Sequence, residues 1–298
     1  MQEISRGLEI RIIRAGRNLG FAGGNDLGYS KATGELIVLL NNDTIVEERW
    51  LEALVNRIDS DENTGIVQSL VLTKGIPAKY YEMNGTVNLL GHNIMEIFEI
   101  ARDGAGEIFV ATGCSLIIRR RLVEELGGLF PEEYFAYSED TYLSMKVKFR
   151  GLKIIHESAS AVHHEGGGTS GSVSSPLYFF QERNRLLNFL IFFKGSFVVK
   201  YVPFLMLNFI MKFLASLFSR KYSFIQLCRA YGWLLINSGW IKKQRDFAKS
   251  IKKVDDNHVL GYVTSRLIDG KSLFGRMINF ASLAYCKIAF IRVMENRK

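Results

Sequence analysis

Leu36-Ile37-Val38-Leu39-Leu40-Asn41-Asn42-Asp43-Thr44 is the stretch on which the reading of this chain turns. Five consecutive aliphatic residues predict a β-strand buried on both faces. The run then stops at two amides, a carboxylate and a hydroxyl. Polar residues placed directly after a buried strand sit where open α/β sheets bind ligands, beyond the carboxyl ends of the strands. Asp43 or Thr44 could equally cap a following helix. Spacing alone leaves metal binding and capping both open.

Working outward, the upstream segment Leu8 to Ile13 alternates and predicts a short strand. Asn18-Leu19-Gly20-Phe21-Ala22-Gly23-Gly24-Asn25 reads as a glycine-rich turn into a helix from Asp26 to Ala32, ended by Thr33-Gly34. The glycines do not have the Gly-x-Gly-x-x-Gly order, and no Lys-Ser/Thr follows them. The turn is therefore neither a dinucleotide fingerprint nor a P-loop. Downstream, Trp50, Leu51, Leu54, Val55 and Ile58 have helical spacing over 47–58, with acidic residues in the first turn. Ile66 to Leu72 predicts another strand. Strand, helix, strand, helix, strand argues for an α/β layered fold with a mainly parallel sheet flanked by helices.

Further on, Ile108 to Ile118 reads as a strand interrupted by Thr112-Gly113-Cys114-Ser115, and Arg119 to Leu126 as a short helix closed by Gly127-Gly128. Glu139 to Arg150 predicts a helix with Tyr142, Met145 and Phe149 on one stripe and Gly151 as its cap. Lys153 to His156 and Ala161 to His164 are short strand-like pieces. Gly166 to Ser175, rich in Gly, Ser and Thr, predicts a mobile loop.

Charge divides the chain. Residues 1–185 carry 19 Lys+Arg against 25 Asp+Glu, a net of −6; residues 186–298 carry 19 against 5, a net of +14. The second part is also apolar, with Phe, Leu, Ile, Val and Met dominating 189–218 and further apolar stretches at 224–241 and 274–293. Basic and apolar together suit an anionic membrane face. Residues 197–218 are long enough to span a bilayer, yet they contain Lys200 and Lys212. An interfacial or re-entrant helix and a true span both remain open. The long apolar runs are unsuited to a solvated nucleic-acid groove, so no nucleic-acid partner is expected. Cys114, Cys228 and Cys286 have no metal-ligand spacing and fit a reducing compartment. The charged, mixed segment 1–16 predicts no signal peptide. The expected division is 1–185 as catalytic domain and 186–298 as a membrane-associating helical region, at the cytoplasmic face of the cell membrane.

Three constellations carry possible chemistry. Asn41 to Asp43 is one. Glu139-Asp140, following Tyr137-Ser138, is the second: two acids favoured by a helix dipole, or a carboxylate set as a general base for a hydroxyl. His163-His164-Glu165 is the third. Adjacent histidines on a strand point to opposite faces, so only one of them could join a metal site.

Taken in order, these motifs, with Gly127-Gly128-Leu129-Phe130-Pro131, Val162-His163-His164 and Glu182-Arg183-Asn184-Arg185, make 8–195 similar to the family 2 glycosyltransferases of GT-A (Rossmann-like) fold, especially rhamnosyltransferase-like members. The resemblance implies an inverting, metal-dependent transfer of a sugar from a nucleotide-sugar donor, a UDP- or dTDP-sugar, to a lipid-linked or glycan acceptor in cell-surface polysaccharide synthesis. It implies Asp140 as catalytic base with Glu139 beside it. It places Asn18, Gly23, Gly24, Asn41, Asn42 and Asp43 on the donor side and Gly113, Cys114 and Ser115 on the acceptor side. Asp43 and His163 would hold a divalent cation, Mg²⁺ or Mn²⁺. It also implies N-terminal incompleteness, because such proteins open with a nucleobase-binding strand and an Asp-rich turn, on the order of 50 residues. A catalytically inactive, membrane-associated remnant is the alternative expectation.

Overall fold

The computed structural model describes residues 10–73, 80–99, 104–165, 175–219 and 222–296. The first segment, Ile10 to Leu19, forms no strand, and Ile10, Ile12 and Ile13 are exposed; Leu8 and Glu9 lie outside the described residues. Helix α1 (Gly20–Lys31) begins at Gly20 rather than at Asp26. Tertiary contact overrides glycine's poor helix propensity there. Ala22 and Gly23 are buried, and the Ala22 amide donates to Phe135 O at 3.0 Å.

Strand β1 (Leu36–Leu40) follows as expected, but only its Ile37 and Leu39 are buried, and Leu40 is 41% exposed. The cause is its place at an edge of the sheet rather than inside it. A short β2 (Thr44–Val46) intervenes before α2 (Trp50–Ser60), whose Leu54 and Ile58 pack on Val67 and Ile117. Neither Asp43 nor Thr44 caps α2; Arg49 does so in a left-handed conformation. Then come β3 (Thr64–Thr73), a hairpin of β4 (Tyr80–Asn88) and β5 (Asn93–Glu99), β6 (Ala105–Glu107), β7 (Ser115–Arg119), α3 (Arg120–Glu125), α4 (Glu139–Phe149) and β8 (Lys153–His164). The C-terminal part holds α5 (Ser175–Phe192), α6 (Gly195–Phe218), α7 (Phe224–Ile236), α8 (Ser238–Ile251), α9 (Asp256–Leu260), β9 (Val263–Thr264) and α10 (Leu273–Ile288).

The main sheet has the order β1-β7-β3-β8-β2, with β6 also paired to β8. It is mixed, which corrects the expectation of a mainly parallel sheet. Only β3 and β8 pair in parallel; β7 is antiparallel to both β1 and β3, and β2 and β6 are antiparallel to β8. β1, β3 and β8 therefore run in one direction, as strand–helix–strand units require, and β7 is inserted between the first two. Hydrophobic periodicity carries no directional information, so this insertion leaves no mark on it. The two short pieces predicted over 153–164 are one strand interrupted by a bulge. The pairing steps from Ser69↔Glu157 to Leu70↔Ala161, leaving residues 158–160 as excess on β8.

Helix α4 is buried all round rather than along one stripe. Its two internal lysines are answered. Lys146 Nζ donates to Leu126 O (2.9 Å) and Gly128 O (2.7 Å), and Lys148 Nζ pairs with Glu107 at 2.5 Å. One apolar core extends from Ala22 to Val293 and draws on α4, α5, α6, α8 and α10 alike. The change in composition at residue 185 falls within α5. The expected loop at 166–174 lies outside the described residues.

Candidate active site

The carboxyl end of β1, the amino end of β7 and the carboxyl end of β8 share one rim of the sheet, because β7 runs against the other two. The Asn41 amide donates to Cys114 O at 2.9 Å and ties two of these ends together. A cleft of about 550 Å³ opens there. Asn41 and Asp43 line it from β1, Thr112, Gly113 and Cys114 from the approach to β7, and His164 from β8. Asn18, Gly20 and Phe21 contribute from the start of α1. Phe135, Ala136, Tyr137, Glu139 and Asp140 form the opposite wall, with Leu177 of α5.

Of the two histidines, His164 lines this cleft and His163, expected as the metal ligand, does not. His163 Nε2 meets Glu47 Oε1 at 2.9 Å on the exposed face. His164 Nε2 lies 3.2 Å from Asp43 Oδ1. That contact lacks the alignment of a hydrogen bond, and Asp43 Oδ1 is buried without a hydrogen-bond partner. Adjacent ligands bound at about 2.1 Å to one cation sit about 3 Å apart, so the pair has the spacing of two metal ligands. Among the described residues no three His, Cys, Asp or Glu side chains converge as a full ligand set. Two protein ligands suffice where phosphate oxygens and waters complete the shell. Burial and then the nearby Asp43 charge push the pKa of the Cys114 thiol up to about 12.

The glycine-rich turn works differently from its first reading. Gly20 (φ +68°) is the position that must be glycine, for a Cβ would fall 2.3 Å from Phe135 O. Asn18 Oδ1 accepts from the Gly20 amide at 2.9 Å. Gly23 is packed against Leu19, Gly24 faces open space, and neither lines the cleft. Asn42 is exposed and also outside it. Ser115 is part of the sheet's interior, in a chain of hydroxyls with Ser69 (2.7 Å) and Ser160 (2.8 Å). Gly113 lets the Phe21 ring approach, since a Cβ there would lie 2.7 Å from Phe21 Cζ.

Glu139 and Asp140 open α4 from an unusual turn. Phe135 (φ 56°), Tyr137 (φ 71°) and Ser138 (φ 62°) all take left-handed values without being glycine. Such residues cost on the order of 1–3 kcal/mol each and persist only when their surroundings hold them. The holding group is Asn184 of α5. Its Nδ2 donates to Tyr134 O (2.8 Å), Ala136 O (2.9 Å) and Tyr137 O (2.8 Å). Asn188 Nδ2 donates to Ser138 O at 3.0 Å, and the Tyr134 hydroxyl donates to Asn188 Oδ1 at 2.5 Å. The sequence offers Glu182-Arg183-Asn184-Arg185 as a motif without showing that its asparagine clamps this turn.

Both carboxyls are shifted towards their neutral forms. Burial is the main cause for each, and the Asp140 charge adds to it for Glu139. Glu139 Oε2 is buried without a partner. Asp140 is drawn back towards ionisation by Thr141, whose amide donates to Oδ1 at 2.6 Å, and by the Gly113 amide. A carboxyl whose ionisation is displaced towards neutrality, facing a cleft, is what general-base chemistry requires.

Residues 1–127 match the sequence profile of glycosyl transferase family 2. The match takes in Asn41 to Asp43 and Gly113 to Ser115 and ends before Glu139-Asp140. No curated protein sequence matches the chain. Among solved structures, GalNAc-T7 with UDP, GalNAc and Mn²⁺ is similar at a TM-score of 0.50 and 18% identity; the likeness covers 61% of this chain and 36% of that one. This chain thus spans about a third of that protein's length. A mannosyltransferase from Pyrobaculum calidifontis in complex with GDP-Man and Mn²⁺ has a TM-score of 0.43 at 13% identity, over 98% of this chain and 68% of its own. Residues 1–349 of S. aureus TarS with UDP-GlcNAc have 0.46 at 17%, over 97% and 75%. The α/β fold, with its mixed sheet, resembles that of GT-A glycosyltransferases.

Proposed function

We propose that the chain is an inverting, metal-dependent glycosyltransferase that moves a hexosyl or rhamnosyl group from a UDP- or dTDP-sugar to a lipid-linked glycan acceptor in cell-surface polysaccharide synthesis. The observation that carries this reading is one cleft with two unlike walls. Asp43 and His164 converge on one side of it, and Asp140, with its pKa raised, faces it from the other. The family match over 1–127 agrees with the donor wall.

In this reading Asn41 sits near the donor's ribose or diphosphate. Asp43 and His164 hold a divalent cation, Mg²⁺ or Mn²⁺, which would neutralise charge on the departing nucleoside diphosphate. An acceptor hydroxyl attacks the anomeric carbon in line. The new C–O bond forms as the bond to the diphosphate oxygen breaks, and configuration inverts. Asp140 takes the hydroxyl proton. Glu139, buried and favouring its protonated form, keeps a second negative charge away from the base.

A membrane face is part of the proposal. The helix Gly195–Phe218 is long and apolar enough to cross a bilayer by length and composition. Its inner stripe, Phe197, Tyr201, Phe204 and Asn208, is buried against the body. Its outer stripe, Val199, Val202, Met206, Ile210, Leu214 and Leu217, is exposed. A helix packed along one side and apolar on the other suits an in-plane position at an interface. Leu235 and Ile236 of α7 and Phe274, Met277 and Phe280 of α10 add exposed apolar surface, and the +14 charge of 186–298 suits the anionic cytoplasmic leaflet.

The test is metal-dependent nucleotide release from a panel of nucleotide sugars, with Asp43→Ala and Asp140→Asn alongside the parent chain. Each substitution should abolish transfer. Full activity in either would overturn the assignment.

A further inference from the structure

A second cavity, of about 400 Å³, meets the cleft at Tyr137, Glu139 and Asp140. From there it is lined by the turn of the β4–β5 hairpin, Gly91 to Asn93, by Gln181 of α5 and by Tyr222, which lies between α6 and α7. Neither Asp43 nor His164 lines it. The hairpin wall is fixed in place. Asn88 Oδ1 accepts from the Leu90 amide (2.9 Å) and the His92 amide (3.0 Å), and a Cβ on Gly91 (φ +75°) would fall 2.6 Å from Arg185 O.

Charge in this space is close to balanced. Glu182 pairs with Arg185 and lies 3.5 Å from Lys212 Nζ. Glu139 favours its protonated form, because of burial and then the Asp140 charge. Two cations therefore stand against the carboxylates of Glu182 and Asp140, and an ionic ligand finds no excess of opposite charge. The remaining groups that can reach a ligand are uncharged. His92, Asn93 and Gln181 are all half-buried. The Arg185 charge first, then burial, then Lys212 hold the His92 pKa down to about 2, so its ring is neutral. Among the described residues, the His92 ring, Asn93 Nδ2 and the Gln181 carboxamide meet no hydrogen-bond partner, and Asn93 Oδ1 takes only a 3.5 Å contact from the Thr141 hydroxyl. A neutral imidazole and two carboxamides each offer a donor and an acceptor. A ligand hydroxyl also donates and accepts, so such a set matches a ring bearing several hydroxyls. Tyr222 adds an aromatic surface. Its ring is held edge-on to Tyr178 at 6.2 Å, with Lys212 Nζ 5.0 Å from its centroid. The negative face of an aromatic ring attracts the weakly positive C–H groups of a sugar.

We infer that this cavity holds an uncharged sugar unit of the acceptor, the one next to the unit that receives the transferred sugar, through Gln181, Asn93 and His92. The inference rests on the proposed sugar transfer for the word acceptor. The hydroxyl that reacts must lie at Asp140, where the two spaces join, and the cavity leads away from the two metal-holding residues. It therefore takes what is already attached to the reacting unit. The consequence is a substrate class: an acceptor of at least two neutral sugar units, so that the reaction extends a glycan rather than starting one.

The experiment applies the full chain, with EDTA and no donor, to an array of neutral mono-, di- and trisaccharides beside carboxylated and phosphorylated counterparts. A neutral di- or trisaccharide should bind at least about tenfold more tightly than any monosaccharide. Gln181→Leu and Asn93→Ala should each weaken that binding about tenfold, the loss of one hydrogen bond with its sugar hydroxyl left unmet. With the bound glycan as acceptor, each variant should raise KM about tenfold and leave kcat unchanged, as loss of binding shared by ground and transition states requires. Gln181 makes no side-chain hydrogen bond within the described residues, and the two positions lie on different elements, so a folding defect in one variant leaves the other informative. Binding of no neutral glycan, equal binding of monosaccharides, tighter binding of the charged counterparts, or binding indifferent to both substitutions overturns the inference. The array contains neither donor nor metal, so its readout is separate from transfer. Glycan binding lost in the variants, with no transfer from any nucleotide sugar, sinks the proposed transfer instead.

Discussion

Replacing Asn184 by alanine tests whether the turn before Asp140 is held or merely observed. The side chain is fully buried, and its two Nδ2 hydrogens serve three carbonyls, so at least one N–H is shared. Taking about 1 kcal/mol net per hydrogen bond, and adding for the buried Tyr134 carbonyl left unmet, the expected loss is about 2–4 kcal/mol. The three left-handed residues it restrains store strain of comparable size, so the turn should relax once released. Relaxation moves Asp140, and a shift of about 1 Å in a catalytic group costs about 100-fold in rate. Urea unfolding gives the first quantity. Nucleotide release by protein that is still folded, in denaturant-free buffer, gives the second. Asn188→Ala, which frees one carbonyl of the same turn, should cost less alone, and the double variant should fall short of additivity because both side chains hold one element. If Asn184→Ala lost under about 1 kcal/mol and kept activity within threefold of the parent, the clamp would be no clamp.

Three further outcomes follow from the geometry. His164→Ala should weaken Mn²⁺-dependent nucleotide binding at least about tenfold, on the scale of other metal-site losses, while His163→Ala leaves it unchanged; equal effects would erase the distinction between the two histidines. Glu139→Gln should raise stability at pH 8 by on the order of 1–3 kcal/mol and much less at pH 5. The sign is fixed by the raised folded-state pKa: between the unfolded and folded values the folded chain holds more protons, so stability declines as pH rises through that window, and a glutamine escapes the decline. Thermal unfolding at the two pH values measures it, and a larger gain at pH 5 would reverse the argument. Ser138→Gly should stabilise by about 0.5–1 kcal/mol, because glycine takes a left-handed φ without the Cβ penalty; a loss of stability would mean that the turn is not strained there.

Much of the sheet was legible because its strands announce themselves locally. Leu36 to Leu40 and Ile66 to Leu72 are uniform aliphatic runs, and Leu54 with Ile58 sets the inner face of α2. What stayed hidden depends on partners distant in sequence. The antiparallel insertion of β7 between β1 and β3 has no local signature. At the start of α1, Phe135, far along the chain, accepts the Ala22 amide. The hairpin Tyr80 to Glu99 turns on Asn88, whose Oδ1 accepts from the Leu90 and His92 amides, and on Gly91 against Arg185. Of the residues that line the cleft, Asp43, Asp140 and a histidine stood out as residue types. The roles of Asn184 and Gly20 did not, since nothing local distinguishes a clamping amide from a solvated one.

The bulge in β8 has a bearing on how this site could drift over generations. His163 and His164 are the same side chain, and what separates them is parity. Residues 158–160 are the excess that sets which of the two comes to rest beside Asp43. Those residues are themselves engaged, with Ser160 in the hydroxyl chain and Ser158 bonded to Gly104. A single-residue insertion or deletion there would alter no group in the cleft, yet it would rotate one imidazole out and the other in. The histidine's identity is thus written in the length of a segment that never touches Asp43, and comparisons that score only the conservation of side chains would not see it change.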